Sequence, residues 1–151
     1  IIDIDNIVFG FHRLAINDLS ENGMQPFIND NIYLICNGEI YNHETLKNEF
    51  DISCNSSSDC EVIIYLYKLL GIEKTCNLLD GVFSFVLYDK NIKKIFAARD
   101  PFGVRPLFIG ENLENELFLS SELKSISNKC LFVKQFNPGS YLEYQKIKYI
   151  Q

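Results

Sequence analysis

Ile32-Tyr33-Leu34-Ile35-Cys36-Asn37-Gly38-Glu39 is the stretch on which the fold turns. Its first five residues form an apolar run too short for a helix and typical of a buried strand. The run breaks at Asn37-Gly38, a dipeptide that favours tight turns because both residues tolerate positive φ. Just beyond, Asn42 is placed to cap a helix running through Glu44, Leu46 and Phe50.

Working outward, Ile7 to Leu14 is apolar and β-prone and reads as a strand, and Asn22-Gly23 reads as a turn. Cys54 to Ser58 is a polar loop, and Ser58-Asp59-Cys60-Glu61 fits a capping box. Val62, Ile63, Leu66, Leu69 and Leu70 then recur at helical spacing until Gly71 ends the helix. The second half is rich in strands: Val82 to Asp89, Lys94 to Arg99, Leu107 to Ile109, Leu117 to Ser120, Leu131 to Val133 and Ser140 to Tyr144. Hairpin-length spacings outnumber crossover helices, so the class is α+β with mostly antiparallel sheets.

The 151 residues make one domain, and a domain of this length buries about two thirds of its unfolded surface. Hydrophobic residues at 47% and charged residues at 23% exclude disorder and fibrous classes. A net charge of -6 argues against nucleic acid or an anionic membrane as partner. No apolar stretch approaches the ~20 residues of a membrane-spanning helix. Five cysteines at 36, 54, 60, 76 and 130 form no CxxC pair, which suits reduced thiols and a cytoplasmic location. With only His12 and His43 as imidazoles, a His-rich metal site is not expected.

Several residues could carry chemistry, each with a plainer alternative. A strand ending at Asn37-Gly38 can aim a side-chain amide and a backbone N–H at one point, as a tetrahedral oxyanion requires; the alternative is a simple turn. Losing one such donor costs about 2.7–4 kcal/mol of barrier. Arg13 offers a planar fork for a carboxylate, or a surface ion pair. Asp59 stands where a helix dipole stabilises a carboxylate, as ligand or as cap. Arg99-Asp100-Pro101-Phe102-Gly103 reads as a structural corner, with Pro101 fixing φ and Arg99 and Asp100 tying the turn down. Cys36 and Cys76 read as packing, and Asp59 and Glu61 oppose a thiolate at Cys60.

Taken in order, Arg13-Leu14-Ala15-Ile16, Asn37-Gly38-Glu39-Ile40-Tyr41-Asn42-His43, Ser58-Asp59-Cys60-Glu61-Val62-Ile63, Ala98 to Leu107, Ser121-Glu122-Leu123-Lys124 and Pro138-Gly139 are far more specific than any one of them. Together they resemble the class II glutamine amidotransferase domain of B-type, glutamine-hydrolysing asparagine synthetases, over nearly the whole chain. The resemblance implies an N-terminal nucleophile fold, a four-layer αββα sandwich of two antiparallel sheets. It implies Asn37 and the Gly38 N–H as oxyanion hole. Arg13 would clamp the substrate α-carboxylate, the backbone of Leu14, Ala15, Ile16 and Asn17 would line the pocket, and Glu39 and Asp59 would receive the α-ammonium. Glutamine is the implied substrate, with no metal or cofactor for this domain; ATP and magnesium belong to a C-terminal synthetase domain, the implied partner. A homodimer is a further expectation.

One departure matters. In that family an N-terminal Cys attacks the glutamine amide with its own α-amine as base. Here Ile1 comes first and no Cys precedes Cys36. Residues 1–151 are therefore expected to be a partial amidotransferase domain, without the nucleophile strand or the synthetase domain, and inactive on glutamine by themselves. A natural non-catalytic glutamine-binding or regulatory module, or the glutaminase domain of another class II amidotransferase, are the alternatives.

Overall fold

The computed structural model describes residues 1–12 and 20–145. The chain opens with a hairpin of β1 (Ile2–Ile4) and β2 (Ile7–Phe9), joined at Asp5-Asn6, where φ is 53° and 66°. A second hairpin, β3 (Phe27–Asn29) and β4 (Ile32–Ile40), turns at Asp30-Asn31 with φ of 46° and 64°. Asp and Asn accept the left-handed region that a two-residue primed turn needs. The helices α1 (His43–Glu49), α2 (Val62–Leu70) and α3 (Ile72–Leu78) follow. Gly71 ends α2 and starts α3 at φ 78°, a conformation that glycine adopts without strain.

Next come β5 (Gly81–Asp89), β6 (Lys94–Arg99), β7 (Phe108–Glu111), β8 (Leu117–Ser120), the short α4 (Leu123–Ile126), β9 (Phe132–Gln135) and β10 (Ser140–Tyr144). They build a five-stranded sheet, β10-β6-β5-β4-β3, and a three-stranded sheet, β8-β7-β9, antiparallel throughout.

Strand alternation then sorts the core. One face of the large sheet presents Leu34, Cys36, Phe83, Phe85, Leu87 and Phe96, which pack under Val62, Ile63 and Leu66 of α2 and Leu46 of α1. The opposite face presents Val86, Ala97 and Leu142 to Ile109, Leu119, Leu107 and Phe136 on the small-sheet side. The two antiparallel sheets are thus stacked, with helices covering one outer face. Each fully buried Leu or Phe contributes about 1.5–3 kcal/mol over its exposed state.

Two local expectations give way. Asn37-Gly38 is no turn: β4 stays paired with β5 through Asn37↔Ser84 and Gly38↔Phe83 as far as Ile40↔Gly81. Gly38 serves close approach instead, since a Cβ there would stand 2.2 Å from the Val82 carbonyl oxygen. Neither Asn42 nor Ser58 caps through its side chain. Asn42 instead donates to the Leu78 carbonyl (2.8 Å) and accepts from the Asp80 N–H (3.0 Å), tying the start of α1 to the α3–β5 loop.

Candidate active site

The site grows from the edge of β4. In an antiparallel strand, successive N–H and C=O pairs face opposite neighbours. Ile32 and Leu34 face β3, which ends at Phe27. Two residues further along, Cys36 meets a side chain in place of a strand: its N–H donates to Gln25 Oε1 (2.6 Å) and its carbonyl accepts from Gln25 Nε2 (3.1 Å). Ile40 donates to Asp59 Oδ2 at 2.6 Å. Gly38 lies between these two capped rungs. Its carbonyl accepts from the Cys60 thiol at 3.6 Å. Its partner across the ladder, Phe83, is engaged on its own far side by Asp100, so the Gly38 N–H points away from β5 toward the open edge.

The neighbouring side chain, Asn37, projects from the other face of the sheet. Asn37 Nδ2 donates to Ser121 Oγ at 3.3 Å. Its cross-strand partner Ser84 donates to the Pro106 carbonyl at 3.2 Å. A cavity of about 620 Å³ opens here, lined among others by Asn37, Gly38, Glu39, Asp59, Gln25 and Ser121. His12 also lines it.

Asp59 sits in a 3₁₀ turn, Asp59–Glu61, that leads into α2. The turn is held by Glu61, whose carboxylate accepts from Asn55 N–H (3.0 Å), Ser56 N–H (2.7 Å) and Ser56 Oγ (2.6 Å). Both acids are buried, at 4% exposure each, which is tolerable only because each is hydrogen-bonded. The capping-box expectation is corrected here: Glu61 reaches back to Asn55 and Ser56 of the preceding loop, and Asp59 Oδ2 accepts from Ile40 of β4. Glu39 is exposed at the cavity mouth.

The Arg99–Gly103 corner is structural, as its composition implies. Asp100 is fully buried and accepts four backbone N–H groups: Phe83, Phe102, Val104 and Arg105, at 3.0 to 3.2 Å. Burial works to raise its pKa, and the four N–H donors outweigh burial and hold it below the usual carboxylate range. Arg99 caps the carbonyls of Gly103, Arg105 and Phe136 at 2.7 to 2.8 Å. The corner fixes the segment that passes over Ser84.

The Cys54, Cys60 and Cys76 thiols are all held in the protonated form. The Cys36 side chain beside it, and then burial, push the Cys60 thiol far up. Burial raises Cys54 to about 11 and Cys76 to about 12. Among the described residues no group of three or more His, Cys, Asp or Glu could hold a metal ion, and no helix is long and apolar enough to cross a membrane.

The structure therefore brings Asn37, Gly38, Glu39 and Asp59 to one cavity. Arg13, Leu14, Ala15, Ile16 and Asn17 lie outside the described residues. Gln25 and Ser84 also line the site and stand in no motif of their own, whereas Ser121, from the Ser121-Glu122-Leu123-Lys124 motif, reaches Asn37 across the chain.

The profile of the glutamine amidotransferase domain family matches residues 1–151. The chain is 46% identical over 138 residues to a probable asparagine synthetase (glutamine-hydrolyzing) of Acanthamoeba polyphaga mimivirus, covering 90% of this chain and 25% of that protein. It is 43% identical over 145 residues to the Bos taurus asparagine synthetase (glutamine-hydrolyzing), covering 90% and 26%. The chain thus spans about a quarter of the length of these relatives. Among solved structures, the Bacillus subtilis glutamine phosphoribosylpyrophosphate amidotransferase, complexed with ADP and GMP, superposes with a TM-score of 0.71 at 24% identity, over 82% of this chain and 30% of that one. An allosteric regulatory enzyme of purine biosynthesis gives 0.70 at 22% identity, over 87% and 32%. These two likenesses carry the fold, the antiparallel sandwich of the N-terminal nucleophile amidotransferases. The chain belongs to the glutamine amidotransferase domain family.

Proposed function

We propose that residues 1–151 form the glutamine-hydrolysing part of an asparagine synthetase, supplying ammonia for ATP-dependent amidation of aspartate elsewhere in the protein. The observation that carries the reading is the meeting of an outward Gly38 N–H, the adjacent Asn37 amide and the Asp59 and Glu39 carboxylates on one cavity. Two neutral donors and two acids on one cavity suit an amino acid whose side-chain carbonyl becomes an oxyanion and whose α-ammonium needs anionic partners.

In this reading the glutamine amide carbon is attacked by a thiolate, and the oxygen takes up charge between Asn37 Nδ2 and the Gly38 N–H. Ammonia leaves from the tetrahedral intermediate, and water then hydrolyses the thioester through a second oxyanion held by the same donors. Arg13 is assigned to the α-carboxylate, with the backbone of residues 14–17 beside it. ATP and magnesium act outside this domain, in the synthetase part with which it works. The protein is read as a cytoplasmic ligase.

Ammonia release from glutamine, and asparagine formation from aspartate, ATP and glutamine, measured on the full-length gene product, test the reading. Both activities are expected. Glutamine hydrolysis coupled to a different acceptor would replace asparagine synthetase with another amidotransferase, and glutamine binding without turnover would make the domain a binding module.

A further inference from the structure

We infer that Gln25 is a positioning residue for the oxyanion step, acting as a one-residue substitute for a β-strand. The inference rests on the glutaminase reading above and adds a residue to it. β3 stops pairing at Phe27↔Leu34, just before the residues of β4 that line the cavity. A longer β3 would run alongside Cys36 and Gly38 and consume the Gly38 N–H in a ladder bond. An edge with nothing beyond Leu34 would instead leave the Cys36 peptide groups unpaired and the strand free to twist.

Gln25 resolves this conflict with one side chain. Its amide presents an acceptor and a donor in the same plane, as a backbone peptide does, and binds both polar groups of Cys36, at 2.6 and 3.1 Å. The ladder is carried one rung further and then stops. Gly38 is the next residue on that edge, its carbonyl held by Cys60, and Ile40 beyond it is held by Asp59. The peptide that bears the Gly38 N–H is therefore clamped on both sides without itself being covered. Gln25 also lines the cavity wall, so its displacement would be felt at the site directly.

An oxyanion donor matters in the transition state more than in substrate binding, so a residue that only aims the donor should affect kcat and not KM. Gln25→Glu keeps the acceptor for the Cys36 N–H and replaces the donor with an anion facing the Cys36 carbonyl. Gln25→Met keeps the length and removes both. In the full-length gene product, each variant is expected to lower glutaminase kcat at least about tenfold, with KM for glutamine and the inhibition constant of glutamate within about twofold of the parent. Inhibition by glutamate γ-semialdehyde, whose thiol adduct places an oxygen in the oxyanion position, should weaken in step with kcat. A parent protein without glutaminase activity would remove the underlying reading. An active parent whose two Gln25 variants keep kcat, or raise KM while semialdehyde inhibition is unchanged, would overturn the role of Gln25 alone.

Discussion

Asp59 Oδ2 lies 2.6 Å from the Ile40 N–H, so the acid that begins the α2 segment also completes the backbone pairing of β4. The carboxylate is thus both a wall of the cavity and a strut for the strand that carries Asn37 and Gly38. Its position at a helix start suggests a cap, but its short bond runs to another element. That changes what a substitution there should do.

Asp59→Asn retains an oxygen for Ile40 but removes the negative charge. A charge-assisted hydrogen bond to a substrate ammonium is worth about 1.5–3 kcal/mol, and 2 kcal/mol is about a factor of 30. In the full-length protein the KM for glutamine is expected to rise more than tenfold. Stability should fall by about 1 kcal/mol, a drop in Tm of roughly 2–4 °C, as the bond to Ile40 becomes neutral. Glu39→Gln should be combined with it, because Glu39 faces the same cavity. A collapse in Tm with an unchanged KM would make Asp59 a strut only.

Asn37→Ala tests the proposed oxyanion hole. The variant removes one of its two proposed donors and leaves the peptide ladder of β4 intact. Glutamine-dependent turnover is expected to fall by about 10²–10³ with KM nearly constant, while synthesis from free ammonia is retained. Ser121→Ala, which removes only the 3.3 Å contact to Asn37, should cost far less. If glutamine- and ammonia-dependent rates fall together, Asn37 holds the fold and not the oxyanion.

Much of the fold is legible in the residues. Lys94–Arg99, Leu117–Ser120 and Ser140–Tyr144 are strands with the limits that their β-prone runs give, and Gly71 ends its helix. The two hairpins at Asp5-Asn6 and Asp30-Asn31 went unread, because Asp and Asn tolerate positive φ but signal a turn less strongly than Asn-Gly. Asn37-Gly38 carries that stronger signal and is a strand, because nine residues of pairing with β5 outweigh a local turn preference. The site is legible only in part. Asn37, Gly38, Glu39, Asp59 and Ser121 stand in recognisable motifs, whereas Gln25 acts through a contact to Cys36 that follows from where β3 stops pairing.

Gly38→Ala probes why that strand contains glycine. The added Cβ would meet backbone on β5, 2.2 Å from the Val82 oxygen and 2.6 Å from the Phe83 Cα, and neither can rotate away. The strands must part, at a cost of about 3 kcal/mol. A Tm drop of roughly 6–12 °C is expected. Gly10→Ala is the control, because a Cβ there meets nothing within 4 Å. Equal melting temperatures for the two variants would show that β4 and β5 can separate without loss.

The last prediction concerns acid stability and the corner at Asp100. Four N–H donors hold its carboxyl below the usual range against the opposing effect of burial. A group whose folded pKa is depressed lends stability that is complete above its unfolded pKa, near about 3.9 for Asp, and lost as pH falls through the folded value. The parent should therefore melt at progressively lower temperature as pH is taken from about 5 toward 2, with Asp100 contributing to the slope. Asp100→Asn removes that contribution. It also sets an NH₂ against two of the four backbone donors, since Oδ1 serves Phe102 and Val104 while Oδ2 serves Phe83 and Arg105. Stability at neutral pH should fall by about 2–3 kcal/mol, with two of the corner's N–H groups left without an acceptor. Thermal melts of both proteins across this range measure the two effects together: a lower plateau near pH 7 and a flatter decline in acid for the variant. Parallel curves would mean that other carboxylates carry the acid sensitivity and that Asp100 contributes through shape alone.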